Sequence, residues 1–212
     1  MIVVVDYGMG NCNSIVNMFR KVGAHVCISN DPQVLATARG IVLPGVGSFD
    51  NGMRKLNQTG LLSHMEEAVL HRKVPFLGVC LGMHLLFNHS EEGQEPGLGW
   101  VSGKVVRFNF SDEKFSGLKV PHMGWNRAAI RKGSSFIDAV SADDERRYYF
   151  VHSFHAVCEN DSDILATTTY GYEFVSGVQR DNILGFQFHP EKSHRYGVQL
   201  FKQFNELVNN YA

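Results

Sequence analysis

The first ninety residues alternate short apolar runs with helical stretches, and this alternation constrains the fold more than any other feature of the chain. Ile2–Asp6 is a largely apolar run closed by Gly8 and Gly10, as expected of a strand buried on both faces. Ser14–Val22 follows with Ile15, Val16, Met18, Phe19 and Val22 at helical spacing. His25–Ser29 is a second short run rich in strand formers. Asn30-Asp31-Pro32 then supplies a capping residue ahead of proline, a helix start. Gly40–Leu43 reads as a third strand and runs into the loop Pro44–Phe49. Leu61–Arg72 is amphipathic, with Leu61, Leu62, Met65 and Val69 on one face, and Val74–Val79 is a fourth strand ending at Cys80. Such alternation predicts parallel strands joined by right-handed crossovers, with helices on both faces of the sheet. Ligands in sheets of this kind sit beyond the carboxyl ends of the strands. That singles out the loops Asp6–Asn13, Pro44–Phe49 and Gly78–Met83.

From about Gly99 to Gln187 the strand signals crowd together, in Lys104–Phe108, Tyr148–His155, Ile164–Thr169 and Ile183–Phe188. They are expected to extend the same sheet in antiparallel fashion. Gly197–Tyr211 closes the chain as a helix striped by Leu200, Phe201, Phe204, Leu207, Val208 and Tyr211. No repeat or linker interrupts the 212 residues, so a single α/β domain, 1–212, is expected, in three layers around a mostly parallel central sheet.

The balance of residue types narrows the function. Hydrophobic residues make up 44% and charged residues 19%, with a formal net charge of −1 and no basic run. The footprint of a nucleic-acid binder is missing, and no apolar run reaches the ~18–20 residues that span a bilayer. With no leader-like segment before the first strand, the expected location is cytoplasmic. The four cysteines are widely spaced and form no C-x-x-C pair, so they read as free thiols.

One of them lies in a special setting. Gly78-Val79-Cys80-Leu81-Gly82 has the form G-x-C-x-G between a buried strand and an apolar helical segment, the cysteine counterpart of a nucleophile elbow. The turn thrusts sulfur out at the sheet edge and places it at a helix N-terminus, which favours thiolate. Phe188-His189-Pro190-Glu191 leaves another strand end. There His189 can move the proton while Glu191 fixes its tautomer. An oxyanion hole would come from the Leu81 N–H and, in Pro44-Gly45-Val46-Gly47, from the Val46 N–H. Glycines flanking Val46 would let that peptide reorient.

Six segments together resemble the class I glutamine amidotransferase family, in particular the glutaminase subunits of imidazole glycerol phosphate synthases. They are Asp6-Tyr7-Gly8-Met9-Gly10-Asn11, Leu43–Gly47, Gly78–Met83, Pro121-His122-Met123-Gly124-Trp125-Asn126, Tyr149-Phe150-Val151-His152-Ser153 and Phe188–Ser193. The resemblance spans nearly the whole chain and implies a flavodoxin-like class I amidotransferase fold. It implies that Cys80 attacks the amide of glutamine and that ammonia passes to a partner synthase, a (β/α)8 barrel. By the same resemblance Gly47, Val151, His152 and Ser153 hold the amino-acid end of glutamine. Asn11, Trp125, Tyr149 and Lys192 face the partner. Where the family carries a glutamine that helps hold the substrate, this chain has His84, one helical turn beyond Cys80 and expected in the same pocket as a substrate-binding residue. Lys192-Ser193-His194-Arg195 resembles paralogues that supply ammonia for amidation of surface sugars.

Other readings carry less. No cofactor or metal is expected. His152 and His155, three apart in one strand, would point to opposite faces. Gly8-Met9-Gly10 with Asp31 partly fits a dinucleotide fingerprint, but Asn13 stands at its third glycine. A non-catalytic regulatory subunit is disfavoured because Cys80, His189 and Glu191 are all kept. A stand-alone amide hydrolase would not need the docking segment that Pro121–Asn126 resembles.

Overall fold

The computed structural model describes residues 1–131 and 146–211. Five strands form a parallel sheet in the order β2 (Val26–Ser29), β1 (Ile2–Val5), β3 (Gly40–Leu43), β4 (Phe76–Val79) and β13 (Ile183–Phe186). All but β2 are buried at every position, because helices cover both faces. Alternation decides which helices each residue meets. Val3 and Val5 of β1 pack with Leu35, Met53, Leu56 and Met65 on one face. Ile2 and Val4 face Ile15, Phe19, Phe201 and Phe204 on the other.

The first face is roofed by α2 (Pro32–Ala36), α3 (Phe49–Gln58) and α4 (Leu62–Glu66). Beyond α4 the helix widens into a looser turn over Glu67–His71. Asp31 accepts the Gln33 N–H at 2.8 Å with Pro32 in the first turn, the helix start expected from the sequence. The opposite face is covered by α1 (Cys12–Lys21) and α6 (His194–Asn210), whose Phe19 and Phe201 rings meet edge to face at 4.7 Å. Phe201 is fully buried. Phe201→Ala is therefore expected to cost about 3–5 kcal/mol, the usual loss for a buried aromatic. A shift in urea midpoint equivalent to less than about 1 kcal/mol would contradict this packing.

The long strand β12 (Tyr172–Arg180) turns the parallel sheet into an antiparallel one. It pairs with β13 through Gly177–Arg180, with β11 (Ile164–Tyr170) along most of its length, and with β10 (Phe154–Cys158) at Val175. Beyond β10 lie β6 (Gly103–Arg107) and β5 (His89–Ser90), and β8 (Ala129–Ile130) joins β11. The chain thus has the three-layer, mostly parallel architecture with an antiparallel extension.

Two details differ from the sequence expectation. Tyr148–His155 is not one strand of the extension. The chain breaks at Ser153 into β9 (Arg147–His152) and β10, and β9 pairs with β7 (His122–Arg127) in a separate two-stranded ribbon. α3, β7 and β12 also form where no element was expected. Among the described residues no helix is long and apolar enough to cross a membrane.

Candidate active site

Neighbouring parallel strands bring the two key segments together. In the pairing of β4 with β13, Val79 lies opposite Phe186, so Cys80 and Gln187 leave the sheet at the same carboxyl edge. The Cys80 N–H then bonds Phe186 O at 2.8 Å. Cys80 takes φ 54°, ψ −108°, a region that side-chain-bearing residues rarely occupy. Such strain costs on the order of 1–3 kcal/mol and persists only where the surroundings enforce it. Here they do. A Cβ on Gly78 would fall 2.6 Å from Gly82 O, and one on Gly82 only 1.9 Å from Leu43 O. Only glycines let β4, the short helix α5 (Leu81–His84) and the end of β3 approach so closely. The first N–H groups of α5, beginning with that of Leu81, follow directly on Cys80 at the helix start, where they lack partners within the helix.

The end of β3 supplies the 44–47 loop. Tyr7, buried at the end of β1, donates its hydroxyl to Pro44 O at 2.7 Å and fixes the root of that loop. Burial raises the Tyr7 pKa, with Cys12 and Cys80 adding to the effect. Val46 is half-exposed at 48%, and Gly47 is exposed beside it.

His189 is held from three sides. Its N–H bonds Tyr149 O at 2.9 Å, its carbonyl accepts the Ser193 hydroxyl at 2.6 Å, and Nδ1 meets Glu191 Oε1 at 2.8 Å. The side chains of His189 and Glu191 are 3% and 4% exposed. Nε2 makes no hydrogen bond of normal geometry. Burial alone would lower the imidazole pKa, but the Cys80 sulfur and Glu191 outweigh it and push it up to about 10. A sulfur, an imidazole and a carboxylate in this order can ionise the thiol, deliver a proton to a leaving amine and then activate water.

The remaining expected residues are distributed around this centre. His84 is buried, with Nε2 on Gln187 Oε1 at 2.7 Å, and burial holds its pKa down at about 4. His152 is buried too. Its Nδ1 bonds Phe154 O at 2.8 Å and its Nε2 meets His122 Nδ1 at 2.9 Å. Val151 and Ser153 flank it, half-buried. His152 and His155 do not diverge as a continuous strand would require, because the break at Ser153 turns both rings onto Phe108, at 5.3 and 4.8 Å.

On the outer side Trp125 and Tyr149 sit opposite each other in the β7–β9 ribbon, their rings 6.2 Å apart. Lys192 Nζ lies 5.7 Å from the Tyr149 ring. Exposed Asn11 caps α1 by accepting the Ser14 N–H at 3.1 Å. Sequence reasoning assigned no part to Tyr7, Gln187 or Ser193, although Tyr7 and Ser193 lie in segments that carried the resemblance and Gln187 immediately precedes one of them.

Comparison with known proteins gives the family. The profile of the family "Glutamine amidotransferase class-I" matches residues 3–207. The chain is 47% identical over 204 residues to "Imidazole glycerol phosphate synthase subunit HisH 2" of Methanococcus maripaludis, covering 96% of this chain and 98% of that one. It is 46% identical to the protein of the same name from Pseudomonas aeruginosa, covering 98% and 100%. In fold it is similar to PurLQS from Thermotoga maritima, with a TM-score of 0.72 at 19% identity over 99% of this chain and 97% of that one. A profile spanning nearly all of the chain, with relatives this similar end to end, shows that it belongs to the class I glutamine amidotransferases.

Proposed function

We propose that this chain is the glutamine-hydrolysing subunit of an imidazole glycerol phosphate synthase, with Cys80, His189 and Glu191 as its catalytic triad. The thiolate of Cys80 attacks the side-chain carbonyl of glutamine, and the resulting oxyanion takes hydrogen bonds from the N–H groups of Val46 and Leu81. As the C–N bond breaks, His189 passes its proton to the departing ammonia and a glutamyl thioester remains. Water, giving up a proton to His189, then attacks the thioester and releases glutamate and the thiolate. Glu191 keeps the imidazole oriented and stabilises its cationic form. Gly47 and the backbone of Val151, His152 and Ser153 bind the amino-acid end of the substrate.

Ammonia passes to a (β/α)8 cyclase subunit docked over Asn11, Trp125, Tyr149 and Lys192, which uses it to make imidazole glycerol phosphate and AICAR in histidine biosynthesis. The cytoplasm is the natural setting. The observation that carries this reading is the His189–Glu191 bond at 2.8 Å, whose far nitrogen is left for a sulfur held at φ 54°.

A second reading gives the ammonia to a surface-sugar amidotransferase. It rests on the likeness of Lys192-Ser193-His194-Arg195 to such paralogues, and His194 of that segment stacks flat on Trp125 at 5.2 Å in the surface assigned to the partner. Glutamate release by the purified chain, alone and with its organism's cyclase plus that cyclase's nucleotide ligand, separates the two. Stimulation by about 5- to 150-fold, as coupling of about 1–3 kcal/mol would give, is expected for the histidine pathway. Its absence, with Cys80 still alkylated by a glutamine-like electrophile, selects the second reading.

A further inference from the structure

A side-chain hydrogen bond joins the segment that carries the nucleophile to the segment that carries the base. His84 ends α5, the helix opened by Cys80, and its backbone N–H bonds Cys80 O at 3.1 Å. Its Nε2 reaches Gln187 Oε1 at 2.7 Å, across 103 positions of sequence. Gln187 is wholly buried, held by its N–H to Ser176 O at 3.0 Å, and lies two residues before His189. Phe188 between them is also fully buried, so a displacement of Gln187 is passed on to the base. The bond thus doubles the backbone link from Cys80 to Phe186.

We propose that His84 is a positioning residue: bonded to Gln187, it brackets the nucleophile turn to the base turn and holds Cys80 and His189 in working register. The proposal rests on the triad reading above and makes His84 act through those two residues rather than on glutamine. Two observations support it. His84 is only 4% exposed and its Nε2 is already engaged. Gln187 meanwhile keeps its amide nitrogen buried without a partner. An apolar residue at 187 would avoid that penalty, so a role for the His84 bond accounts for the amide. His152 and His155 are the titratable groups facing the His84 ring. Burial lowers the pKa of all three, and His84 falls to about 4, so the bracket stays neutral at neutral and alkaline pH.

The pH profile of Cys80 alkylation by iodoacetamide, mapped by peptide mass in the complete chain, tests this without glutamine. His84→Leu is expected to displace the profile upward by about one pH unit, a tenfold loss of reactive thiolate at neutral pH. Turnover of glutamine should fall about tenfold or more with KM changed less than about twofold. Gln187→Leu should do the same. The double variant His84→Leu/Gln187→Leu removes both polar partners and so recovers stability. Its alkylation profile should nevertheless match those of the single variants instead of adding to them. His84→Gln keeps a donor for Gln187 Oε1 and should restore the wild-type profile.

A raised KM with an unchanged alkylation profile would overturn the proposal in favour of a substrate ligand. Recovery of the profile in the double variant would reduce the bond to a structural one. Failure of the glutaminase reading looks different. The wild-type chain would then release no glutamate with any synthase partner, while alkylation would still report on the bracket.

Discussion

Cys80→Ala is expected to reduce glutamine hydrolysis by at least about 10⁴-fold, the scale on which removing a nucleophile acts when no other group can form the covalent intermediate. The fold should survive. The Cys80 backbone N–H still bonds Phe186 O, and loss of one sulfur is a small change in volume. An alanine at φ 54° is no more strained than the cysteine it replaces. Turnover, partner binding and thermal midpoint measured side by side check this, and a variant retaining even a tenth of wild-type activity would sink the triad. The substitution has a second consequence, through His189. Burial lowers the pKa of that imidazole, but Cys80 and Glu191 together raise it to about 10. A raised value means that the bound proton adds stability below the ordinary histidine pKa, and that this stability is lost as pH rises through about 10. Without the sulfur, Glu191 alone opposes burial and the loss begins at lower pH. The alkaline limb of the stability profile should therefore move down in Cys80→Ala while the acid limb stays in place.

The parallel half of the fold was legible because burial on both faces leaves unbroken apolar runs at Ile2–Val5 and Gly40–Leu43. The elbow was legible because close backbone approach demands glycine on both sides of the cysteine. The elements that escaped carry mixed signals. α3 holds Phe49, Met53 and Leu56 at helical spacing, but Gly52 stands within it and polar residues surround them. β12 carries Ser176 and Gly177 at its centre, and the serine is tolerated there because Thr168 bonds it at 2.8 Å across the sheet. The break at Ser153 was hidden because both flanks are equally good strands. It shapes the candidate site, since it frees β9 to pair with β7 and to reach the His189 turn through Tyr149. The His84–Gln187 bond was out of reach for a different reason. It depends on β4 and β13 being neighbours, which is a property of sheet order and not of any local pattern.

Gly82→Ala tests how tightly the elbow and the 44–47 loop are locked together. The added Cβ would sit 1.9 Å from Leu43 O, against the 3.4 Å at which ordinary contact begins. No side chain can rotate away, since the obstructing atom belongs to the backbone of a central strand. Either α5 lifts off β3 or the end of β3 moves, and each displaces part of the proposed oxyanion hole. Lifting α5 moves Leu81, and moving β3 carries Pro44 and Val46. Overpacking of this kind costs about 1–3 kcal/mol or more in stability. The effect on turnover should be larger, at least about 10²-fold, because oxyanion donors act only within tenths of an ångström of their mark. Gly23→Ala serves as the control. It too adds a Cβ at positive φ, 77°, but nothing lies within 4 Å of it. Its backbone strain should cost stability at the C-terminal end of α1 and leave turnover unchanged. If Gly82→Ala lost no more activity than Gly23→Ala, the close contact between elbow and loop would have no part in catalysis. A disproportionate loss would mean that the two donors are built from one rigid unit, in which the strand that ends at Leu43 sets the geometry at Cys80.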